Sequence, residues 1–261
     1  MLQPYEFAED FTVYGYDGDY RGLARPGALL RYAQEVAGQQ CTHYGITGEV
    51  YARTHTAYVL AKTAMRFVRV PRVGERLTLI TQPEALKRAV NKRLTVVRDA
   101  AGEEIALLDS RWVLIDTEKR VILRRHPPEV CGPWAEELGR SLPMKMASRP
   151  GDAAPVGERR AVYSLCDANG HLNNTRYVDL VLDALPPQAL DGAAVETLLI
   201  FYHKEVPRGE AFMLYRAQTA PGRWYFCGVR EDKCCFEAEL SLRALPWRDG
   251  AAAGEAPQGG G

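Results

Sequence analysis

Two parts of this chain echo each other in the same order, and that echo constrains the fold more than any other feature. Val70-Pro71-Arg72-Val73-Gly74-Glu75 matches Val206-Pro207-Arg208-Gly209-Glu210 with one deletion. Asp17-Gly18-Asp19-Tyr20-Arg21-Gly22 precedes one helical pattern as Asp167-Ala168-Asn169-Gly170-His171-Leu172 precedes a second. Arg31-Tyr32 and Arg176-Tyr177 recur inside those helices. Three echoes in one order read as a duplication.

Each copy runs strand, helix, then several strands. In the first, Tyr5 to Tyr14 reads as a strand and Ala28 to Tyr44 as a helix. Strands follow at 58–70, 76–82, 90–98 and 104–116. In the second, a strand at 159–165 and a helix from Asn174 to Leu185 precede strands at 195–206, 211–218, 224–230 and 234–245. This order predicts an α+β fold, a tandem of two units, each an antiparallel sheet wrapped around one long helix. The units fall at 1–125 and 158–247, with a Pro- and Gly-rich linker at 126–157. An Ala- and Gly-rich tail at 248–261 is expected to be disordered.

Composition narrows the function classes. Lys plus Arg and Asp plus Glu are both 33, so the chain lacks the basic excess of a nucleic-acid binder. No apolar run approaches the roughly 20 residues of a membrane span, and no secretory leader is read at Met1 to Glu6, so the expected compartment is cytoplasmic. The six cysteines show no Cys-x-x-Cys spacing, so they read as reduced packing residues.

The densest chemistry lies between Cys166 and Tyr177. Asp167, Asn169 and His171 alternate, so an extended segment would point all three the same way. Asn173 and Asn174 are suitable N-caps for the following helix. An acid, an amide and an imidazole at a helix start suit attack on a carbonyl and stabilisation of the resulting oxyanion. Taken alone, the same residues could merely form turns and a cap. A metal set of Asp167, His171 and His203 has the right residue types but no supporting spacing.

With Asp167, Asn169, His171, Asn173, Asn174 and Tyr177, and with Glu205 further along the same unit, the chain resembles the acyl-acyl carrier protein thioesterases. The resemblance spans roughly residues 1–245 and implies a tandem of two hotdog domains. It further implies hydrolysis of fatty acyl-acyl carrier protein to free fatty acid and carrier protein, with no cofactor. Val206 stands where plant members often carry Cys, which excludes a thiol there.

On that resemblance, Asp167 is the nucleophile or orients water, Glu205 is the base, and Asn169 and His171 position them. Backbone N–H groups of Gly170, Leu172, Asn173 and Asn174 would polarise the thioester carbonyl. The acyl chain would lie in the first unit, with Leu29, Ala33, Tyr58 and Met65 as candidate contacts that could equally be plain core. Opposite Asp167, Asn169 and His171 the echo sets Asp17, Asp19 and Arg21, and opposite Glu205 it sets Arg69. An arginine is not a general base, so one working site is expected, in the second unit.

Lys87, Arg88, Lys92, Arg93 and Arg98 read as a solvated face or as a docking patch for an acidic carrier. Arg176 reads as packing its stem on the helix surface. Competing readings are an acyl-CoA thioesterase using the same residues and a non-catalytic acyl- or carrier-binding module. A monomer of tandem hotdogs and a homodimer both fit.

Overall fold

Leu77, Leu79 and Thr81 are buried while their neighbours in β3 (Arg76–Pro83) are less so, the alternation of a strand with one face on a core. The computed structural model describes residues 2–147 and 149–245, so the tail expected at 248–261 lies outside the described residues. The first half supplies β1 (Phe7–Thr12), β2 (Thr56–Phe67), β3, β4 (Asn91–Arg98), β5 (Glu104–Asp116) and the short β6 (Val121–Ile122). The second supplies β7 (Ala154–Arg160), β8 (Ala193–Tyr202), β9 (Ala211–Ala220), β10 (Arg223–Arg230) and β11 (Lys233–Ala244).

All pairings between these strands are antiparallel and build one sheet in the order β1-β3-β4-β5-β2-β8-β11-β10-β9-β7, with β6 added to β5. The β2–β8 pair, with Ala64 opposite Leu199, joins the halves. Outward from that pair the order is the same on both sides, so the duplication is visible in the topology.

The helices are α1 (Pro26–His43), α2 (Gly48–Thr54) and α3 (Arg176–Asp183). Pro26 sits in the first turn of α1, where its missing N–H costs nothing. Only α1 is long. The expected second helix is trimmed at both ends to eight residues, stopping ahead of Pro186 and Pro187. The strand expected at 159–165 is also corrected: β7 ends at Arg160, and Tyr163–Leu165 form a single 3-10 turn.

One core runs through both halves. Leu29, Leu30, Ala33 and Val36 of α1 and Tyr177, Val178 and Val181 of α3 pack with Phe67, Leu77, Ile200, Phe212 and Phe236 of the sheet. Truncating a fully buried leucine such as Leu29 to alanine would cost about 2–5 kcal/mol.

The stretch expected as a linker is not a loose spacer. Ala135, Leu138 and Leu142 cover Ala64, Leu94, Val96, Leu107 and Leu199 in a second apolar cluster. Two carboxylates fasten it. Glu84 accepts the Leu138 N–H (2.8 Å) and Asp109 accepts the Leu142 N–H (2.9 Å). Burial opposes the charge on Glu84, but the Leu138 N–H with Lys87 and Lys92 holds its carboxyl below the ordinary range. At Asp109 burial dominates and the carboxyl is raised.

Candidate active site

The segment from Cys166 to Leu172 is a closed turn rather than an extended strand. Cys166 and Leu172 form an antiparallel bridge, the Asp167 N–H donates to the His171 carbonyl (3.0 Å), and the Gly170 N–H donates to the Asp167 carbonyl (3.0 Å). Gly170 has φ 76°, a left-handed conformation that suits glycine. Asp167 Oδ1 accepts the Asn169 N–H at 2.9 Å, an Asx turn that outcompetes the extended form. Asp167, Asn169 and His171 therefore do not share one face by strand alternation, and Asn169 is exposed.

A second chain segment completes the cluster. The Leu172 N–H donates to the Val206 carbonyl (2.8 Å) and His171 bridges Pro207, which draws the residues after β8 alongside the turn. Glu205 lies just past the end of β8 rather than within it. The N–H groups of His203 and Lys204 both donate to the Cys235 carbonyl (2.8 and 3.0 Å), a bulge-like contact that re-aims the chain. As a result His171 Nδ1 sits 3.0 Å from Glu205 Oε2. The other oxygen, Oε1, is 3.0 Å from Arg120 Nη2, in the turn between β5 and β6.

Beneath the turn, the buried Tyr177 ring meets Tyr202 and Phe236 edge-on at 5.5 and 4.8 Å. Burial raises the Tyr177 phenol above the usual tyrosine range, with the nearby Cys235, Asp167 and Glu205 adding to the shift. Tyr202 donates its hydroxyl to the Asn174 carbonyl (2.9 Å).

The expected oxyanion donors are largely spent. The N–H groups of Gly170, Leu172 and Asn173 donate to the carbonyls of Asp167, Val206 and Leu165. Asn173 makes a turn just ahead of α3 rather than its cap, which is Thr175: its Oδ1 accepts the Thr175 N–H (3.0 Å) and hydroxyl (2.6 Å). Asn174 does not cap: its Oδ1 accepts from Gln34 Nε2 of α1 at 2.7 Å, tying the two helices together. Its N–H makes no hydrogen bond among the described residues. Arg176 pairs with Asp179 across one turn of α3 (3.6 Å). His203 lies on Glu237 (2.8 Å) and does not join Asp167 and His171 as a ligand set.

The first half carries the same scaffold with other side chains. The Asp19 N–H donates to the Leu23 carbonyl and the Gly22 N–H to the Asp19 carbonyl, repeating the bonds of Asp167, His171 and Gly170. The Val68 and Arg69 N–H groups share the Ile105 carbonyl, as those of His203 and Lys204 share Cys235. The register read from sequence therefore slips by two residues at the turn and by one at the later strand. Asp19, Arg21, Leu23 and Val70 are the counterparts of Asp167, Asn169, His171 and Glu205. Asp17 and Arg69 are not. Arg21 closes on Asp19 at 2.7 Å, so this copy keeps an acid, locks it in an ion pair and lacks both imidazole and second carboxylate.

A cavity of about 490 Å³ opens in the first half. One wall is the α1 stripe Gln34, Ala37, Gly38 and Cys41, at the i, i+3, i+4, i+7 spacing of one helix face. Facing it are Tyr51, Tyr58, Trp112, Trp134 and Arg93. Of the four candidate acyl contacts, only Tyr58 lines it. Leu29 and Met65 are 0% and 1% exposed and, with Ala33, belong to the main core, Leu29 and Ala33 on the α1 stripe and Met65 on β2. Gln34 also borders the cleft containing Cys166 and Asn173, so one side chain is shared between the cavity and the cleft beside that turn.

Of the five basic residues read as a solvated face or docking patch, Lys87, Arg88 and Arg98 are exposed. Arg93 turns inward, donating to Gln40 Oε1 (2.5 Å) and Thr81 Oγ1 (2.8 Å). Lys87 and Lys92 are committed to Glu84 at 3.2 and 3.4 Å.

Comparison with known proteins decides the family. Residues 4–134 match the family model for the acyl-ACP thioesterase N-terminal domain, and residues 158–242 match that for the C-terminal domain. This chain belongs to the acyl-ACP thioesterase family.

Among curated relatives, it is 23% identical over 224 residues to oleoyl-acyl carrier protein thioesterase 2 of Arabidopsis thaliana, covering 78% of this chain and 61% of that one. It is 24% identical over 236 residues to the acyl-[acyl-carrier-protein] hydrolase FATB2 of Cuphea viscosissima, covering 84% and 57%. The chain thus spans about 60% of the length of these relatives. The fold matches solved structures. An acyl-ACP thioesterase from Bacteroides thetaiotaomicron superposes with a TM-score of 0.82 at 19% identity, covering 91% of this chain and 98% of that one. The 12:0-ACP thioesterase of Umbellularia californica gives 0.80 at 17%, covering 94% and 99%. Among the described residues, no helix is long and apolar enough to cross a membrane.

Proposed function

We propose that this chain hydrolyses fatty acyl thioesters of acyl carrier protein, with the second unit as the catalytic one and the first as the acyl pocket. The observation that carries this reading is the His171–Glu205 contact beside Asp167, set against a first-unit copy that lacks both partners. The matched relatives are named for the same reaction.

Two roles in this proposal differ from those the resemblance implies. Both Glu205 oxygens are occupied, one by Arg120 and one by His171 Nδ1, so Glu205 orients rather than abstracts. Holding the proton at Nδ1 leaves the Nε2 lone pair of His171 as the base. Water attacks the thioester carbonyl carbon as His171 Nε2 takes its proton, with Asp167 holding the water. The tetrahedral oxyanion meets the Asn174 N–H and the Asn169 side-chain amide, two donors without internal partners among the described residues. Collapse breaks the carbon–sulfur bond, and the imidazolium returns its proton to the leaving thiolate. The products are a free acid and a thiol.

For the carrier, the β5–β6 hairpin offers a surface. Val121 and Ile122 are 49% and 54% exposed there, beside Lys119, Arg124 and Arg125. An apolar pair ringed by cations next to Glu205 fits an acidic partner that delivers a tethered acyl group. The test is thiol release from the same acyl group on carrier protein and on CoA. Higher kcat/KM on the carrier supports the proposal, and preference for CoA contradicts it.

A further inference from the structure

The first unit has lost its own reactive set, yet it places one side chain in the second unit's site. Arg120 sits at the tip of the β5–β6 hairpin with φ 56°, a left-handed conformation in which glycine would be less strained. The tip is firmly built. The Arg120 N–H donates to the Asp116 carbonyl (2.8 Å), and Asp116 Oδ1 accepts the N–H groups of Glu118 (3.0 Å) and Lys119 (2.8 Å). Ile115 and Ile122 pair just behind it. β5 pairs with β2, and β2 with β8, so the hairpin lies beside the place where the chain leaves β8 for Glu205.

From there Arg120 reaches one carboxylate among the described residues, that of Glu205 (3.0 Å), across 85 positions of sequence. Its side chain is 78% exposed and that of Glu205 51%. An ion pair this exposed contributes little to stability. Its geometry still matters. By holding Oε1 it fixes the rotamer that turns Oε2 toward His171 Nδ1. When a bound carrier covers the cleft and water leaves, the same pair strengthens.

We propose that Arg120 is a positioning residue for the Glu205–His171 pair, supplied by the unit whose own site has decayed. This rests on the reading that Glu205 and His171 serve thioester hydrolysis, and the test separates the two ideas. The first measurement needs no substrate: ring nitrogen signals of His171 by NMR in wild type, Arg120→Gln, Glu205→Gln and, as a remote control, Arg53→Gln. The signal should move in the first two variants and stay put in the third. The second measurement is steady-state kinetics on acyl-carrier thioester. Arg120→Gln should lower kcat about tenfold, the scale of one charge-assisted hydrogen bond, with KM and melting temperature little changed. Arg120→Lys should recover most of that loss. A His171 signal indifferent to Arg120→Gln overturns the positioning role even if no substrate turns over. So does a loss confined to KM, which would make Arg120 a carrier contact only. Absence of hydrolysis in the wild type, with the His171 signal still responding, would instead fault the hydrolase reading.

Discussion

His171 Nδ1 and Glu205 Oε2 lie 3.0 Å apart although 33 residues, including α3 and β8, separate them in sequence. Their meeting depends on the His171–Pro207 bridge and on the paired N–H bonds at Cys235, features of backbone rather than of either side chain. The same scaffold recurs in the first half with Leu23 and Val70, so the frame exists without the chemistry.

That arrangement makes His171 and Glu205 unequal. Removing the base in His171→Ala should lower kcat by about 10²–10⁴-fold. Glu205→Gln keeps a hydrogen-bond acceptor for Nδ1 and should cost less than His171→Ala, with KM nearly unchanged. Equal losses, or a larger one at Glu205, would return the base to the carboxylate. Steady-state kinetics on one acyl-carrier substrate decide it.

Gly38 faces the first-unit cavity, and a Cβ built there meets nothing within 4 Å. Gly38→Leu should therefore do two separable things. It removes a helix-interior glycine, worth about 0.8–1 kcal/mol of helix propensity. It also fills part of the 490 Å³ volume and should shift product acids to shorter chains. Melting temperature and chain-length analysis read the two effects independently. A raised melting temperature with an unshifted product profile would place the acyl chain elsewhere.

Glu84 fastens the strap over the sheet. Its carboxyl is lowered in the folded protein, so its stabilisation is full above the unfolded-state value and fades as pH falls through the folded one. Glu84→Gln should cost about 1–3 kcal/mol at neutral pH, and the gap to wild type should narrow in acid. Denaturant midpoints at several pH values measure it. A gap that widens in acid would mean Glu84 is not held ionised.

Reversing the exposed charges in Arg124→Glu with Arg125→Glu should raise KM for acyl-carrier substrate several-fold while leaving acyl-CoA turnover close to wild type. Added salt should shrink the difference, since exposed charges are screened over about 10 Å at 0.1 M. Equal effects on both substrates would argue that these arginines act on the fold instead.

Much of this architecture was legible in the sequence because duplication repeats strong local signals. Strand alternation in Leu77 and Leu79, the α1 stripe and the Val-Pro-Arg echo all survive as order in the sheet. The register of the echo was not legible. Asp17 and Asp19 are equally good matches for Asp167 by residue type, and only the backbone bonds of Asp19, Gly22 and Leu23 choose between them.

The site was half readable. Asp167, His171 and Glu205 carry distinctive chemistry, but alternation predicted a strand where the Asx bond to Asn169 makes a turn. The spent N–H groups of Gly170, Leu172 and Asn173 depend on Val206 and Leu165, which no local pattern indicates. Leu29, Ala33 and Met65 are apolar enough for either core or pocket, and all three pack in the main core cluster. The stripe of small and polar residues at Gln34, Ala37, Gly38 and Cys41 was the available sign of a cavity wall. Arg120 gave no sign at all, since its role exists only across the seam between halves.

The most direct test is product analysis of purified protein incubated with a defined acyl-carrier thioester, wild type against Asp167→Ala. The geometry predicts one free acid and one carrier thiol per turnover in the wild type, and a loss of roughly 100-fold or more in the variant. Undiminished acid release by Asp167→Ala, or none by the wild type, would contradict it.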